Sequence, residues 1–131
     1  MSCGVGYRAK AIKNASATVT KNEINFESLK NMNYHAAKQE LVKVFGIGNK
    51  VADCILLFSL EKSEAFPLDR WMLRILQKYY ANRFQLTTKT LTNNSYDNIH
   101  QKIVDYFGKH AGYSQQYLFK MERELYNKNW L

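Results

Sequence analysis

The chain has 131 residues, 46% of them hydrophobic and 14% aromatic, which suits one compact domain with a real core and excludes a disordered chain. No apolar run approaches the ~20 residues of a membrane span, so a transmembrane helix is excluded too. Nineteen Lys and Arg against eleven Asp and Glu give a formal charge of +8 and a pI near 9.5, which favours a polyanionic partner through counterion release, nucleic acid first and anionic lipid second.

A single proline, Pro67, and apolar residues at three- and four-residue spacing argue for an all-α fold and one domain over residues 1–131, with no repeat or linker. The first helix is expected over about Tyr7 to Thr18, with Ile12, Ala15 and Val19 inward, and a short one over Phe26 to Asn31. Asn33 caps a third over Tyr34 to Val44, with a stripe of Ala37, Leu41 and Val44, until Gly46-Ile47-Gly48 interrupts it. A fourth runs from Asn49 to about Leu60 with Val51, Ile55 and Phe58 on its buried face. After a loop over Glu61 to Phe66, Pro67 breaks the chain and Asp69 N-caps a helix reaching about Tyr80. The polar stretch Ala81 to Asn93 reads as loop, and Asn94 with Asp97 resembles a capping box for a helix holding Ile99, Ile103 and Phe107, closed by Gly108. The last helix spans roughly Gly112 to Lys128.

Cys3 and Cys54 are the only cysteines and lie too far apart to form a zinc or iron–sulfur ligand set, so no metal and no iron–sulfur cluster are expected. His35, His100 and His110 read as surface or helix-end residues with no metal-binding spacing. The opening residues lack a charged segment followed by an apolar one, so nothing points to secretion. An intracellular location is the expectation, cytoplasm or nucleoid, or the nucleus in a eukaryote.

Residues 34–60 form a helix-hairpin-helix pattern around Gly46-Ile47-Gly48. The two glycines permit positive φ and let the backbone approach a phosphate, while free amides of the second helix favour the anion. A plain corner between two helices explains the same glycines, and the basic charge tilts the reading toward DNA. Lys50 sits in the first turn of the second helix, where the helix dipole and partial burial disfavour an ammonium and a neutral amine is a nucleophile; taken alone, a simple phosphate contact is the favoured reading. Cys54, four residues on, shares its face. Asp69, nineteen residues after Lys50, is held at a helix start where it can stabilise positive charge on a sugar or assist proton transfer, although an N-cap role is sufficient for it alone.

Taken together, Gly46-Ile47-Gly48-Asn49-Lys50-Val51-Ala52-Asp53-Cys54 followed by Pro67-Leu68-Asp69 resembles the active-site signature of the 8-oxoguanine DNA glycosylases. Gly4-Val5-Gly6-Tyr7-Arg8-Ala9-Lys10 and Ala111-Gly112-Tyr113-Ser114-Gln115-Gln116-Tyr117-Leu118-Phe119 are similar to two further segments of that family, in the same order. The resemblance implies a helix-hairpin-helix glycosylase bundle in which Lys50 attacks C1′ and forms a Schiff base while Asp69 supports the oxocarbenium-like state. It implies that Cys54 and Phe119 sandwich an everted base read by Gln115, that Tyr7 wedges into the duplex, and that Arg8 contacts the orphaned cytosine. Gly46, Gly48, Asn49 and Trp71 fall on the DNA side. Four residues separate Gln115 from Phe119, so a helix presents both to one planar base.

Two departures from the family stand out. The chain starts almost at the Gly-x-Gly-Tyr-Arg segment, so an N-terminal region is missing and the bundle is expected to be incomplete, which predicts self-association, a homodimer or partner chain in its place, or low stability. Trp71 occupies the position where the family commonly has histidine.

The resulting expectation is base-excision repair of double-stranded DNA by a bifunctional DNA glycosylase and AP lyase that removes 8-oxoguanine. No cofactor is required, though a monovalent cation on the hairpin carbonyls is an option. Rival readings are a non-catalytic helix-hairpin-helix DNA-binding fragment and a glycosylase for oxidised pyrimidines.

Overall fold

A computed structural model describes residues 4–86 and 91–125. Among these, seven α-helices follow in order: α1 Ala9–Thr20, α2 Phe26–Asn31, α3 Tyr34–Val42, α4 Asn49–Ser59, α5 Arg70–Phe84, α6 Asn93–Phe107 and α7 Ala111–Leu125. Short 3-10 turns at Gly6–Arg8 and Gly108–His110 precede α1 and α7, and no strand occurs among the described residues. The all-α expectation is borne out. Residues 126–128, where the sequence extends the last helix, lie outside the described residues, as do residues 87–90 of the expected loop.

Side-chain caps set most helix starts, since the first amides of a helix have no partner within it. Asn25, Asn33 and Asp69 accept from Ser28, Ala36 and Met72 backbone N–H, the last two as the sequence predicts. The α6 start differs from prediction: Thr92 is the N-cap and forms a reciprocal capping box with Ser95. Asn94 and Asp97 are therefore inside the helix, and the Asp97 carboxylate instead lies 3.5 Å from the Lys38 ammonium. Tyr80 leaves helical geometry, with φ −131°, but α5 resumes beyond this kink to Phe84, shortening the expected loop.

Burial corrects the periodicity reading in two helices. No residue of α1 is buried, and Ile12 and Val19, expected inward, are exposed. In α4 the inward residues are Ala52, Asp53 and Leu56, while Val51 and Phe58 are exposed and Ile55 is half-buried. An apolar helix satisfies more than one helical face, and the buried carboxylate of Asp53 shows that polar pairing decided which face won.

Two apolar clusters result. Leu29, Ala37, Leu41, Ala52, Leu56 and Ala65 belong to one, built from α2, α3 and α4. Phe66, Leu68, Met72, Leu76, Ile99 and Ile103 belong to the other, built on α5 and α6 with Ala111 at the head of α7. Residues 61–69 pass between them and give Ala65 to the first and Phe66 and Leu68 to the second. This stretch lacks regular structure yet is pinned along its length: Gly112 N–H donates to Ser63 O at 2.8 Å, Ser63 Oγ to Lys109 O at 2.7 Å, and Leu68 N–H to Tyr96 Oη at 3.1 Å. A Cβ on Gly112 would lie 2.4 Å from Leu57 Cδ1 and 2.5 Å from Ala65 O, so only glycine lets α7 start this close to the stretch.

Candidate active site

The hairpin joins α3 to α4 through Gly46, Ile47 and Gly48, with Ile47 N–H donating to Val44 O at 3.0 Å. Both glycines were expected to use positive φ; only Gly46 does, at +88°. A Cβ there would come within 2.3 Å of the Ala11 Cβ, so Gly46 is needed for α1 to pack on the turn. Gly48 has φ −93° and is the N-cap of α4, with no side-chain cap. A Cβ on Gly48 would meet nothing within 4 Å. The opening amides of α4 are thus without a side-chain acceptor, unlike those of α2, α3, α5 and α6, and the positive end of the α4 dipole stays open to an anion.

Lys50 follows directly and is exposed rather than partly buried. Cys54, half-buried, lies one turn on along the same face. Burial pushes the Cys54 thiol pKa up; the Lys50 charge and a hydrogen bond with the Lys50 side chain pull it back, and the Asp53 and Asp69 carboxylates raise it further. The Cys54 thiol thus senses the charges of both Lys50 and Asp69. Asp69 is fixed by accepting Met72 N–H at 2.8 Å, with Pro67 and Leu68 buried immediately before it. Lysine and carboxylate each occupy the first turn or cap of a helix, so an amine and a carboxylate are presented from rigid elements.

Gln115 and Phe119 sit on α7, as expected. Gln115 is buried rather than free: its Nε2 donates to Pro67 O at 3.4 Å, and its Oε1 accepts from Gln116 Nε2. That contact ties Gln115 to the segment carrying Asp69. Phe119 is half-buried, packs on the α5–α6 cluster and lines a groove with Tyr113, Gln116, Tyr117 and Lys120. Tyr7 and Arg8 stand apart from these groups on the turn before α1, where the Arg8 guanidinium covers the Tyr7 ring at 4.7 Å and Tyr7 is 85% exposed. Asn49 donates to Asn93 Oδ1 at 3.1 Å, tying the α4 start to that of α6. Trp71 is exposed in the first turn of α5, with the Arg74 guanidinium 5.5 Å from its ring, so it is not a core residue.

Behind this face lies a buried polar cluster that sequence reading missed. The Asp53 carboxylate is fully buried and accepts from Tyr34 Oη at 2.8 Å and Tyr96 Oη at 2.5 Å, with Lys38 Nζ at 3.6 Å. Lys38 also donates to Tyr34 Oη at 2.9 Å. His100, expected at the surface, is buried: it stacks on Tyr34 with centroids 4.6 Å apart, and its Nε2 lies 3.1 Å from Glu64 O. A lone acid inside the apolar run Val51 to Phe58, with Tyr34 and Lys38 four residues apart, was the available signal. No group of three or more His, Cys, Asp or Glu able to hold a metal occurs among the described residues.

Fold and site together define an all-helical helix-hairpin-helix protein with a lysine and a carboxylate at the starts of consecutive helices. No family model matches the chain. It is 36% identical over 126 residues to a probable N-glycosylase/DNA lyase of Methanothermobacter thermautotrophicus, an alignment covering 93% of this chain and 36% of that protein. It is 32% identical over 128 residues to the N-glycosylase/DNA lyase OGG1 of Arabidopsis thaliana, covering 91% and 33%. The crystal structure of Clostridium acetobutylicum 8-oxoguanine glycosylase/lyase, in complex with double-stranded DNA containing cytosine opposite 8-oxoguanine, matches with a TM-score of 0.79 and 34% identity over 95% of this chain and 40% of that one. The resemblance read from the sequence is borne out: nearly the whole chain is related to N-glycosylase/DNA lyases, while spanning only 33–40% of the length of these relatives.

Proposed function

We propose that this chain carries the catalytic helices of a DNA glycosylase with AP lyase activity that excises 8-oxoguanine in base-excision repair. The observation that carries the reading is the placement of Lys50 in the first turn of α4, with Cys54 one turn on, and of Asp69 at the N-cap of α5. The Lys50 amine attacks C1′ of the damaged nucleotide; the new C–N bond replaces the glycosidic bond, and the base leaves with a proton. Asp69 stabilises the cationic sugar. The sugar ring then opens at C1′–O4′, with the amine proton passing to O4′; the resulting imine acidifies C2′, and loss of that proton expels the 3′ phosphate by β-elimination. Asp69 assists the proton transfers.

Cys54 and Phe119 sandwich the everted base and Gln115 reads its edge, exchanging its Pro67 contact for the base. Gly46, Gly48 and Asn49 bring the open α4 amides to a phosphate, and a monovalent cation on the hairpin carbonyls is the only ion the reading includes. Trp71 lies on the same DNA side, Tyr7 enters the gap in the stack and Arg8 meets the cytosine opposite the lesion. No further cofactor, and no iron–sulfur cluster, is required. No helix among the described residues is long and apolar enough to cross a membrane, and the protein acts inside the cell with its DNA.

A second reading is a non-catalytic DNA-binding fragment, for which the open amides at the start of α4 are sufficient. In that case a partner chain or a second copy completes the bundle. Borohydride trapping on a duplex with one 8-oxoguanine separates the two. A covalent complex that disappears in Lys50→Gln supports the enzyme; salt-sensitive binding without any trapping leaves the binding module, and trapping only on oxidised pyrimidines would reassign the lesion.

A further inference from the structure

We propose that Tyr96 is a positioning residue that, held by the buried carboxylate of Asp53, sets the backbone carrying Asp69 relative to the helix carrying Lys50. The inference rests on the enzymatic reading above for its catalytic consequence, and on geometry alone for the linkage.

Asp53 lies three residues after Lys50 and one before Cys54, and its side chain is fully buried where that of Lys50 is exposed. Its Oδ2 accepts the Tyr96 hydroxyl proton at 2.5 Å. With that proton committed, the Tyr96 oxygen accepts Leu68 N–H at 3.1 Å. Leu68 immediately precedes Asp69. One carboxylate, one phenol and one amide thus connect the helix of the nucleophile to the residue before the carboxylate that supports it. The other Asp53 oxygen is held by Tyr34, and Lys38 supplies the compensating charge, so the carboxylate has little freedom to rotate away from Tyr96.

Residues 61–69 have no helix or strand of their own to set their height above α4. Pro67 has no backbone N–H to donate, and Leu68 donates its amide to Tyr96 rather than to a backbone carbonyl. The position of Asp69 therefore depends on a side chain from α6, and a displacement of about 1 Å in such a group costs up to ~100-fold in rate. Tyr96 is buried in the second apolar cluster, so Tyr96→Phe removes the hydroxyl while keeping the ring.

The test measures single-turnover borohydride trapping on a duplex with an abasic site, at a temperature where melting shows every variant folded. Tyr96→Phe is expected to slow trapping about tenfold or more while changing affinity for a tetrahydrofuran-containing duplex less than about twofold. Asp53→Asn, which keeps the side-chain shape, should act in the same direction. In an Asp69→Asn background Tyr96→Phe should add nothing, because its effect is exerted through Asp69; a merely structural role gives additive losses. Leu68 amide exchange should accelerate about tenfold in Tyr96→Phe, with the Leu41 and Leu56 amides unchanged.

Trapping by Tyr96→Phe at the wild-type rate, or a full additive loss in the Asp69→Asn background, overturns the proposal. If the wild-type chain itself forms no trapped complex, the enzymatic reading falls and takes the catalytic consequence with it; an unchanged Leu68 amide overturns the linkage in either case.

Discussion

Replacing each hairpin glycine separately distinguishes the two roles that the structure gives them. At Gly46, φ is +88°, which costs an L-residue about 1–2 kcal/mol. The new Cβ also meets the Ala11 Cβ at 2.3 Å, so α1 must move. Because no residue of α1 is buried, that helix shifts at lower cost than a core helix would, and Gly46→Ala should lose about 2–3 kcal/mol in total. For a chain of this size the loss lowers the melting temperature by roughly 6–12 °C. Gly48 needs no positive φ and its Cβ would be in open space, so Gly48→Ala should cost at most about 1 kcal/mol, as a weaker N-cap. Urea denaturation followed by circular dichroism gives both values. Adding Ala11→Gly to Gly46→Ala should recover the steric part only, less about 1 kcal/mol for glycine inside a helix. Duplex affinity measured on the same variants should fall several-fold in Gly48→Ala despite its near-native stability, because only an approaching phosphate meets that methyl group. Equal stability losses at the two positions would refute the reasoning.

His100 links stability to pH. Burial, with the Lys38 charge adding to it, pushes its imidazole from 6.5 down to about 4. The unfolded chain therefore binds the proton more readily across that window, and stability should rise with pH between about 4 and 6.5, amounting to on the order of 3 kcal/mol. His100→Gln should flatten the part of the denaturation-midpoint profile lying in this window, and an unchanged profile would count against a buried neutral imidazole. Gly112→Ala places a methyl 2.5 Å from Ala65 O, a backbone atom that cannot swing aside, and should cost about 3 kcal/mol by overpacking; a near-native urea midpoint would contradict the close approach of α7. The logarithm of duplex affinity should fall linearly with the logarithm of salt concentration, and Lys50→Gln should make the slope shallower by about 1 if Lys50 touches a phosphate before it reacts.

Much of the site is local enough to be read from the chain. The cap by Asp69 after Pro67, the Asn33 cap, the Gly46 turn and the lysine in the first turn of α4 each depend on a few neighbouring residues, whose conformational preferences act over one helical turn. The grouping of Lys50 with Cys54 follows from helical spacing. Asp69 was harder, because its N-cap role, accepting Met72 N–H, accounts for it fully when taken alone.

What the chain did not reveal depends on which surfaces meet. Two faces of α4 are apolar enough to be buried; the hydroxyls of Tyr34 and Tyr96, brought from α3 and α6, make the face with Asp53 the inward one. Periodicity cannot show this, since a buried acid is tolerable only when its partners arrive from elsewhere. The same holds for His100, buried only because Tyr34 stacks on it and Glu64 O meets its ring nitrogen. Residues 61–69 carry no periodic signal, and their shape comes from α6, α7 and the turn between them. The sequence by itself determined the all-helical class and the lysine and carboxylate at successive helix starts, because capping and turn chemistry are short-range. Tertiary structure alone decided what holds those starts in register, because the hydrogen bonds that do so join residues 28 and 43 positions apart.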